Sequence, residues 1–469
     1  MKVLFVSLGC DKNLADSEAM LALLTRQGHE ITNQEEEAEV VVINTCCFIH
    51  DAKEESIQTI LELAERKETG RLQGIIVAGC LAERYQKEIE EELPEVDVLV
   101  GTASWEHIAE AVEDVANGRR GRYFEPLEHL PDNQGKRRRS GIGFSSYLKI
   151  AEGCDKHCTY CVIPSVRGPY RSIPMERLIQ EAEYLAKEGV KELLIVAQET
   201  TLYGVDLYGK KCLPDLLRKL CQIPELTWIR VLYCYPEEIT DELIQVIKEE
   251  EKVCHYLDIP IQHASDAVLK RMGRKTTKQE LADRIRRLRS EIPDIVLRTT
   301  LITGFPGETE EEFAELFHFV DEMEFEHLGV FPYSLEEGTP AASLGNQVPE
   351  EIKEERRDKI MALQQEITAM QAEERIGEEY QILIEGLIPE EQQEGTPEEV
   401  ERLCEEEGDL YVGRSYLDAP EIDGYLFVRS RRALMSGDSV VVRVIGASEY
   451  DLYGELIEET TKPEGGGRL

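Results

Sequence analysis

The feature that most constrains this chain is a loop with three cysteines in eight residues, spaced C-x3-C-x2-C: Cys154, Cys158 and Cys161. The loop follows a strand-like run at 147–151. Iron–sulfur clusters normally take four cysteine ligands, so three thiolates can hold a 4Fe–4S cluster whose fourth iron has no protein ligand. That iron is open to a substrate. The alternative is a zinc site or a structural cluster, since short cysteine spacings serve those as well.

The same loop resembles the cluster loop of the radical S-adenosylmethionine (SAM) superfamily. In that superfamily the amino and carboxylate groups of SAM chelate the open iron, and an aromatic residue precedes the third cysteine. Tyr160 has that position here. The resemblance implies that Cys154, Cys158 and Cys161 are catalytic metal ligands and that Tyr160 borders the adenine of SAM.

Length and composition indicate a cytoplasmic protein of about three domains, from 469 residues. No run approaches the about 18 apolar residues of a membrane span. Residues 1–7 enter a folded pattern directly, without the features of a signal peptide. Twelve cysteines in a reducing compartment favour metal or redox chemistry over disulfides.

The N-terminal segment, 1–125, alternates apolar runs with helix-like stretches. The periodicity predicts helices at 16–27 and 54–66, the first capped by Asp16 or Ser17 and ended by Gly28. It predicts buried parallel strands at 3–8, 40–43, 75–78 and 96–100. This alternation is typical of a doubly wound α/β domain with a parallel sheet.

Three cysteines follow three of these strands: Cys10, Cys46 and Cys80. Because ligands gather at the carboxyl ends of the strands in an open parallel sheet, we expect the three cysteines to meet at one edge as a second three-thiolate site. The alternative is that they are ordinary buried cysteines. Cys47, directly after Cys46, is an alternative ligand.

The context of Cys10 resembles the start of the methylthiotransferase family, through the residues Ser7-Leu8-Gly9-Cys10-Asp11-Lys12-Asn13 and Asp16-Ser17-Glu18. In that family the three corresponding cysteines hold an auxiliary 4Fe–4S cluster, which implies that Cys10, Cys46 and Cys80 are metal ligands. Cys47 departs from the family pattern, where a small residue such as Gly is usual. We therefore favour Cys46 as the ligand over Cys47.

A polar linker is predicted at 126–145. Its basic run, 136–139, is expected to be exposed and paired with neighbouring carboxylates, with contact to a nucleic acid as the alternative. The alternation resumes over 146–348. Six βα units indicate a partial (βα)6 barrel of the radical SAM type. The predicted helices are 175–187, 238–249, 278–290 and 310–321. The predicted strands are 147–151, 192–197, 228–233, 256–261, 296–302 and 328–333.

Chemistry in such barrels lies at the carboxyl ends of the strands. The resemblance to radical SAM enzymes implies that Gln198 and Glu199 meet the amino group of SAM, while Arg298 meets its carboxylate. It places Gln262 or the adjacent loop at the ribose. Structural alternatives remain open: Glu199 as a cap, Arg298 as a salt-bridge partner, and His263 as a satisfied residue at a strand end.

Beyond a predicted connecting helix at 349–374, the pattern changes to short strands at 381–384, 410–412, 425–428 and 439–444. Segment 375–460 resembles a TRAM domain, a five-stranded antiparallel β-barrel that usually binds RNA. Residues 371–469 contain 25 acidic and 9 basic residues. This charge opposes direct RNA binding and favours a basic protein partner. We expect a solvated acidic insert at 391–408 and a flexible tail at 461–469.

The motifs at 411–415 and 418–424 resemble the ribosomal-protein-modifying branch of the methylthiotransferase family. That branch implies transfer of a methylthio group to the β-carbon of an aspartate in small-subunit ribosomal protein S-twelve. The implied cofactors are SAM and two 4Fe–4S clusters, with an unidentified reducing electron donor. The alternatives are a tRNA adenosine methylthiotransferase, for which a basic terminal barrel is expected, and a non-catalytic iron–sulfur assembly protein.

Overall fold

The computed structural model describes residues 1–132, 136–141, 143–389 and 408–457. They form two compact units, Met1–Met323 with Leu328–Met361, and Glu324–His327 with Ala362–Leu469. Within the described ranges no helix combines the length and apolar character needed to cross a membrane. The predicted flexible tail and residues 391–407 of the predicted insert lie outside the described residues.

The N-terminal part of the first unit is a six-stranded parallel sheet with the order β2-β1-β3-β4-β5-β6. Its strands are β1 (Lys2–Ser7), β2 (Glu30–Thr32), β3 (Val40–Thr45), β4 (Gly74–Gly79), β5 (Val96–Val100) and β6 (Gly121–Tyr123). Its helices are α1 (Asp11–Arg26), α2 (His50–Thr69), α3 (Cys80–Arg84), α4 (Gln86–Glu92) and α5 (Ile108–Ala116).

Both faces of this sheet are buried. Successive side chains of a strand point to opposite faces, and those of β3 join two different apolar clusters. Val41 and Ile43 of β3 belong to one apolar cluster. Val40 and Val42 belong to another, with Trp105 and Ile108. The predicted doubly wound α/β architecture is confirmed.

The prediction for the start of α1 was wrong. The helix begins at Asp11, directly after Cys10, which has an extended backbone at the N-cap position. Asp16 and Ser17 are buried inside the helix and bind partners elsewhere; the Ser17 hydroxyl lies 2.7 Å from that of Ser7. The edge strands β2 and β6 were not predicted, because three residues are too few to show a period.

The central part of the first unit is an open six-stranded sheet with the order β14-β13-β12-β11-β10-β7. Neighbours from β7 to β13 pair in parallel. The six strands are β7 (Ser145–Lys149), β10 (Glu192–Val196), β11 (Trp228–Val231), β12 (Val253–Asp258), β13 (Val296–Thr303) and β14 (His327–Pro332). This arrangement matches the predicted partial barrel.

A two-stranded ribbon, β8 (Ala151–Glu152) with β9 (Arg171–Ser172), flanks the sheet. The helices are α6 (Ile163–Arg167), α7 (Met175–Lys187), α8 (Val205–Tyr208), α9 (Leu213–Leu220), α10 (Asp241–Glu249), α11 (Asp266–Arg271), α12 (Lys278–Glu291) and α13 (Glu310–Met323).

One strand is displaced from its prediction. The structure ends β12 at Asp258, whereas the sequence predicted residues 256–261. Ile259 and Ile261 are fully buried, which explains the strand-like pattern. Pro260 between them has no N–H to donate to a neighbouring strand, so regular pairing stops before it.

The basic run before β7 was predicted to be exposed, and this was wrong for Arg137, which is 3% exposed. Its guanidinium lies 3.2 Å from the Glu181 carboxylate and 3.6 Å from that of Glu18. The two carboxylates offset its buried charge.

Helix α14 (Glu350–Glu374) has the bounds predicted for the connecting helix, to within one residue. The second unit contains a closed barrel in the order β15-β16-β17-β19-β18. Its strands are β15 (Glu379–Leu387), β16 (Asp409–Arg414), β17 (Leu426–Ser430), β18 (Ser439–Ala447) and β19 (Leu452–Leu456). The predicted five-stranded barrel is confirmed, although not all of its pairings are antiparallel. Strand β19, which had no assigned segment in the sequence, closes it by pairing in parallel with β17 and antiparallel with β18.

Candidate functional site

The loop with Cys154, Cys158 and Cys161 leaves the ribbon strand β8 through a turn that only glycine can make. Gly153 has φ +75°, and a Cβ there would lie 2.1 Å from the carbonyl oxygen of Pro169. Cys154 and Cys158 are buried and Cys161 is half-buried.

The pKa of Cys154 and of Cys161 is raised to about 12, chiefly by burial and less by nearby groups: Glu199 and Cys158 for Cys154, and the other two cysteines for Cys161. Thiols in such a position stay protonated unless a positive centre takes the place of the protons. A metal cluster is such a centre, because it binds thiolates and releases their protons.

Tyr160 forms part of an apolar wall beside this loop. Its ring meets Phe305 edge-on, with centroids 6.4 Å apart. Phe305 in turn packs on Tyr333, at 5.3 Å, in a cluster that includes Met272. A flat, apolar surface of this kind suits an aromatic ligand such as adenine.

The second set of cysteines lies at the carboxyl edge of the N-terminal sheet. Cys10 follows β1 at the N-cap of α1, Cys46 follows β3, and Cys80 follows β4 as the first residue of α3. A Cβ on Gly9 would lie 3.1 Å from the Cys46 Sγ, so glycine lets the Cys10 loop approach Cys46. Burial raises the pKa of Cys46 and of Cys80, and the negative charge of Cys10 adds to both effects. The structure thus brings the three predicted cysteines together.

Cys47 has different surroundings from Cys46, although both act electrostatically on Cys80. Cys47 is fully buried in an apolar cluster with Leu81. Burial raises its pKa to about 12, while the nearby Arg84 guanidinium opposes the shift. Arg84 also donates to the Cys47 carbonyl at 3.2 Å. Cys10 contributes to the pKa shift of Cys46 and is not among the main causes for Cys47, whereas Cys47 raises the pKa of Cys80 more than Cys46 does. The choice of Cys46 as the ligand therefore stays a prediction.

Gln198 and Glu199, just beyond β10, present unused acceptors. Gln198 Oε1 and Glu199 Oε2 are buried and have no hydrogen-bond partner within the described part of the chain, while the Lys156 ammonium lies 3.9 Å from Glu199 Oε2. Glu199 Oε1 accepts from the Thr201 N–H at 2.8 Å, in a turn before α8, so Glu199 does not cap the following helix as one alternative held. Burial raises the pKa of Glu199 to about 7, with Thr201 and Lys156 opposing. Two buried acceptors without hydrogen-bond partners, on consecutive residues, fit a cationic donor such as an ammonium group.

Arg298 forms an ion pair with Asp258 across β13 and β12, at 3.2 Å. The structural alternative for Arg298, a salt bridge inside the barrel, is therefore present. The ion pair holds the guanidinium in place. Burial raises the pKa of Asp258, while the charge of Arg298 opposes the shift.

Gln262 has φ +69°, an uncommon backbone for a residue other than glycine. Its N–H donates to the Thr300 carbonyl at 2.9 Å, and its carbonyl accepts from Ile302 at 2.8 Å. These bonds anchor the loop to β13. His263 is buried; its Nδ1 accepts from the Ser265 N–H at 2.9 Å. Its Nε2 lies 3.4 Å from Glu308 Oε2 and makes no hydrogen bond within the described residues, so the alternative of a satisfied residue holds for one ring nitrogen only.

Four ionisable side chains form a buried network between the N-terminal sheet and the barrel, which was not predicted from the sequence. Arg167 Nη1 lies 2.7 Å from Asp16 Oδ2 and 3.2 Å from Glu152 Oε1. Lys149 Nζ lies 2.6 Å from Glu152 Oε2 and also binds Asp16. Burial would raise the pKa of Glu152, but the charges of Lys149 and Arg167 prevail and lower it to about 2. Gln198 Nε2 donates to Glu152 Oε1 at 3.1 Å, which joins the network to the end of β10.

A second link between the two parts runs through Tyr233, which was also missed. The Lys12 ammonium lies 2.9 Å from the centroid of the Tyr233 ring. The Tyr233 N–H donates to Asp258 Oδ2 at 3.0 Å, and Asp258 pairs with Arg298. The segment next to Cys10 is therefore connected to Arg298 by three contacts.

Cavities flank the Cys158 side of the loop. One, of about 290 Å³, is lined by Lys156, Tyr235 and Arg274, among others. Another, of about 270 Å³, is lined by His157 and Cys161, among others. Across the described ranges, no group of three or more His, Cys, Asp or Glu side chains is arranged to hold a single metal ion. Each of the two sets of three cysteines provides three of the four thiolate ligands that a 4Fe–4S cluster normally takes.

Family comparisons divide the chain as the fold does. Residues 2–101 match a family described as "Uncharacterized protein family UPF0004", residues 148–320 match the radical SAM superfamily, and residues 398–457 match the TRAM domain.

Relatives of nearly the same length decide the family. The ribosomal protein uS12 methylthiotransferase RimO of Lachnoclostridium phytofermentans is 56% identical over 454 residues, covering 97% of this chain and 99% of the relative. The chain belongs to the RimO family. The RimO of Pelotomaculum thermopropionicum is 50% identical, and that of Clostridioides difficile 46%, with 97% and 98% of this chain covered and 99% of each relative.

One solved structure shares the fold over most of the chain. The radical SAM methyltransferase TsrM of Kitasatospora setae, solved with cobalamin and a [4Fe–4S] cluster, superposes with a TM-score of 0.54 at 15% identity. The match covers 72% of this chain and 76% of that chain. At this identity the likeness concerns the fold alone. The match to the radical SAM superfamily implies SAM and a 4Fe–4S cluster as cofactors. Membership of the RimO family, whose relatives are named methylthiotransferases, makes the chain a transferase.

Proposed function

We propose that this chain transfers a methylthio group to the β-carbon of an aspartate in ribosomal protein uS12, with SAM and two 4Fe–4S clusters. The observation that carries the proposal is the presence, in one compact unit, of two separate sets of three cysteines. Full-length relatives named for this activity support it.

In the proposed division of work, residues 146–348 generate the radical, residues 1–125 provide the sulfur, and residues 375–460 select the substrate. Cys154, Cys158 and Cys161 hold one cluster, and Cys10, Cys46 and Cys80 hold the auxiliary one. When bound, the first cluster supplies the electron that cleaves SAM, and the second supplies an iron that carries the sulfur to be transferred. Each set of three thiolates leaves one iron free for these tasks.

The residues around the first cluster site bind and orient SAM. Glu199 Oε2 and Gln198 Oε1 accept hydrogen bonds from its ammonium group. Both oxygens are otherwise buried without a hydrogen-bond partner within the described residues. Arg298, held by Asp258, meets the carboxylate of SAM. Tyr160 and Phe305 form the wall for the adenine, and Gln262 lies at the ribose.

The acidic C-terminal barrel recognises the substrate through charge. Residues 371–469 carry 25 acidic and 9 basic side chains, and such a surface attracts a basic protein while it repels a phosphate backbone. A basic ribosomal protein is the matching partner, with no direct RNA binding. We further propose a cytoplasmic location, where ribosomal proteins are made, and a separate reducing protein as the electron donor.

The test offers both substrates to one enzyme. The reconstituted protein is incubated without oxygen with SAM, a reductant, purified uS12 and bulk tRNA, and both products are analysed by mass spectrometry. A methylthio mass gain on one aspartate of uS12 supports the proposal. A gain on tRNA adenosine would overturn the substrate while keeping the chemistry, and failure to cleave SAM would favour a non-catalytic iron–sulfur protein.

A further inference from the structure

Asn13 lies at the centre of the three loops that carry Cys10, Cys46 and Cys80, and it is fully buried. Its Nδ2 donates to two backbone carbonyls, that of Leu8 at 3.1 Å and that of Thr45 at 3.0 Å. Leu8 stands two residues before Cys10, and Thr45 stands directly before Cys46. One amide group thus ties two of the cysteine loops together.

The other side of the same amide reaches the third loop. The Cys80 Sγ lies 3.9 Å from Asn13 Oδ1, a weak contact for a thiol donor. The Asn13 main-chain carbonyl accepts from the Asn44 side chain at 2.9 Å, on the strand that precedes Cys46. Asn13 therefore contacts elements next to all three cysteines, although it carries no metal-binding atom of the soft kind that iron–sulfur clusters prefer.

Arg167 connects this centre to the radical SAM domain. Its Nη2 donates to Asn13 Oδ1, and its Nη1 binds Asp16 and Glu152. Arg167 is the last residue of α6, which begins two residues after Cys161. Helix α6, which follows the loop of Cys161, therefore ends in a hydrogen bond from Arg167 to Asn13, the residue between the loops of Cys10, Cys46 and Cys80.

Arg167 also brings a positive charge to the auxiliary cysteines. It is 2% exposed, so water does little to screen it. Its Nη2 donates to Asn13 Oδ1, and the Cys80 Sγ lies 3.9 Å from the same oxygen. A cation in this position stabilises thiolates over thiols, which is the state that binds iron.

We propose that Asn13 and Arg167 are the positioning pair of the auxiliary site: Asn13 sets the spacing of the three cysteine loops, and Arg167 fixes them to the radical SAM domain. The inference rests on the proposed auxiliary cluster. Neither residue binds iron; each acts through the backbone and side chains that it holds. Outer partners of this kind typically contribute about 10–100-fold to metal affinity.

The test uses the full chain in a form where only the auxiliary site can bind iron, with Cys154, Cys158 and Cys161 all replaced by Ala. This parent is reconstituted and should hold about four iron atoms per chain. The substitution Asn13→Asp keeps the acceptor for Arg167 but places an oxygen against the carbonyls of Leu8 and Thr45. We expect the rate of iron loss to a chelator to rise by about 10–100-fold, with a changed EPR spectrum of the reduced cluster.

The matched control is Gln364→Glu, in the second unit. Gln364 is also a buried amide, and its Nε2 donates at 2.7 Å to the Phe325 carbonyl and at 3.0 Å to Thr368. Its change from amide to carboxylate should leave the rate of iron loss and the EPR spectrum as in the parent. Equal acceleration in Asn13→Asp and in the control would overturn the inference, because it would reflect general destabilisation.

Arg167→Lys is the second variant, and it decides the matter if Asn13→Asp does not fold. Lys keeps the charge inside the buried network but lacks the planar fork that reaches Asn13 and the carboxylates at once. Faster iron loss and an altered EPR spectrum support the inference. Parent-like iron loss and spectra in the folded variants overturn it while the proposed function stands. A parent that binds no iron would instead refute the auxiliary cluster and the inference with it.

Discussion

The buried network between the N-terminal sheet and the barrel makes a quantitative prediction for Glu152→Gln. The charges of Lys149 and Arg167 lower the pKa of Glu152 from 4.5 to about 2 despite its burial. At 1.36 kcal/mol per pKa unit, the ionised carboxylate stabilises the folded chain by about 3 kcal/mol at neutral pH. Gln keeps the size of the side chain and loses that stabilisation. We expect the free energy of unfolding to fall by about this amount at pH 7.

The pH dependence separates this cause from a packing defect. Because the pKa is lower in the folded state, the stabilisation is complete above 4.5 and is lost as the pH falls through about 2. The difference between the wild type and Glu152→Gln should therefore shrink below pH 4.5. A packing defect would keep it constant with pH.

Urea unfolding of the cluster-free chain, followed by tryptophan fluorescence, measures this difference. The two tryptophans, Trp105 and Trp228, both lie in the first unit, so the signal reports that unit. As a control, Glu291→Gln removes an exposed pair with Lys248 and should change stability by about 0–1 kcal/mol. A loss in Glu152→Gln no larger than in this control, or one that does not vary with pH, would refute the reasoning.

Other predictions concern the two cluster sites and the barrel. The pKa of Glu199 is raised to about 7, and its carboxylate form accepts from the ammonium of SAM, so SAM affinity should rise with pH through neutrality. Glu199→Gln should abolish that rise when binding is measured by equilibrium dialysis. A rise that persists in the variant would show that another group titrates. Cys46→Ala should bring the iron content down to one cluster per chain while Cys47→Ala keeps two; two full clusters in Cys46→Ala would show the assignment to be wrong. Because the barrel region carries 25 acidic residues against 9 basic ones, the KM for uS12 should increase with ionic strength, and a KM independent of salt would exclude charge as the selector.

The elements that the sequence predicted well are those whose signal is local. Helix α7 (Met175–Lys187) was predicted with its observed bounds, and α14 to within one residue, because a repeat of apolar residues runs along each. The two sets of cysteines could be placed because each cysteine follows a strand or lies in one short loop. The geometry of parallel strands then brings separate loops to the same edge.

The connections between the two cluster sites were beyond sequence reasoning, because their members are distant in the chain and unremarkable alone. Asp16 and Lys149 are separated by 133 positions. Charged residues are normally read as exposed, yet Arg137 and Arg167 are buried with carboxylate partners. Only the folded arrangement shows which charge pairs with which.

The most direct test of separate tasks for the two cysteine sets compares two products in one reaction. SAM cleavage and methylthiolated uS12 are quantified by mass spectrometry for the wild type, Cys10→Ala and Cys154→Ala. The account predicts that Cys10→Ala still cleaves SAM but transfers no methylthio group, whereas Cys154→Ala loses both activities. Undiminished methylthiolation by Cys10→Ala would contradict it.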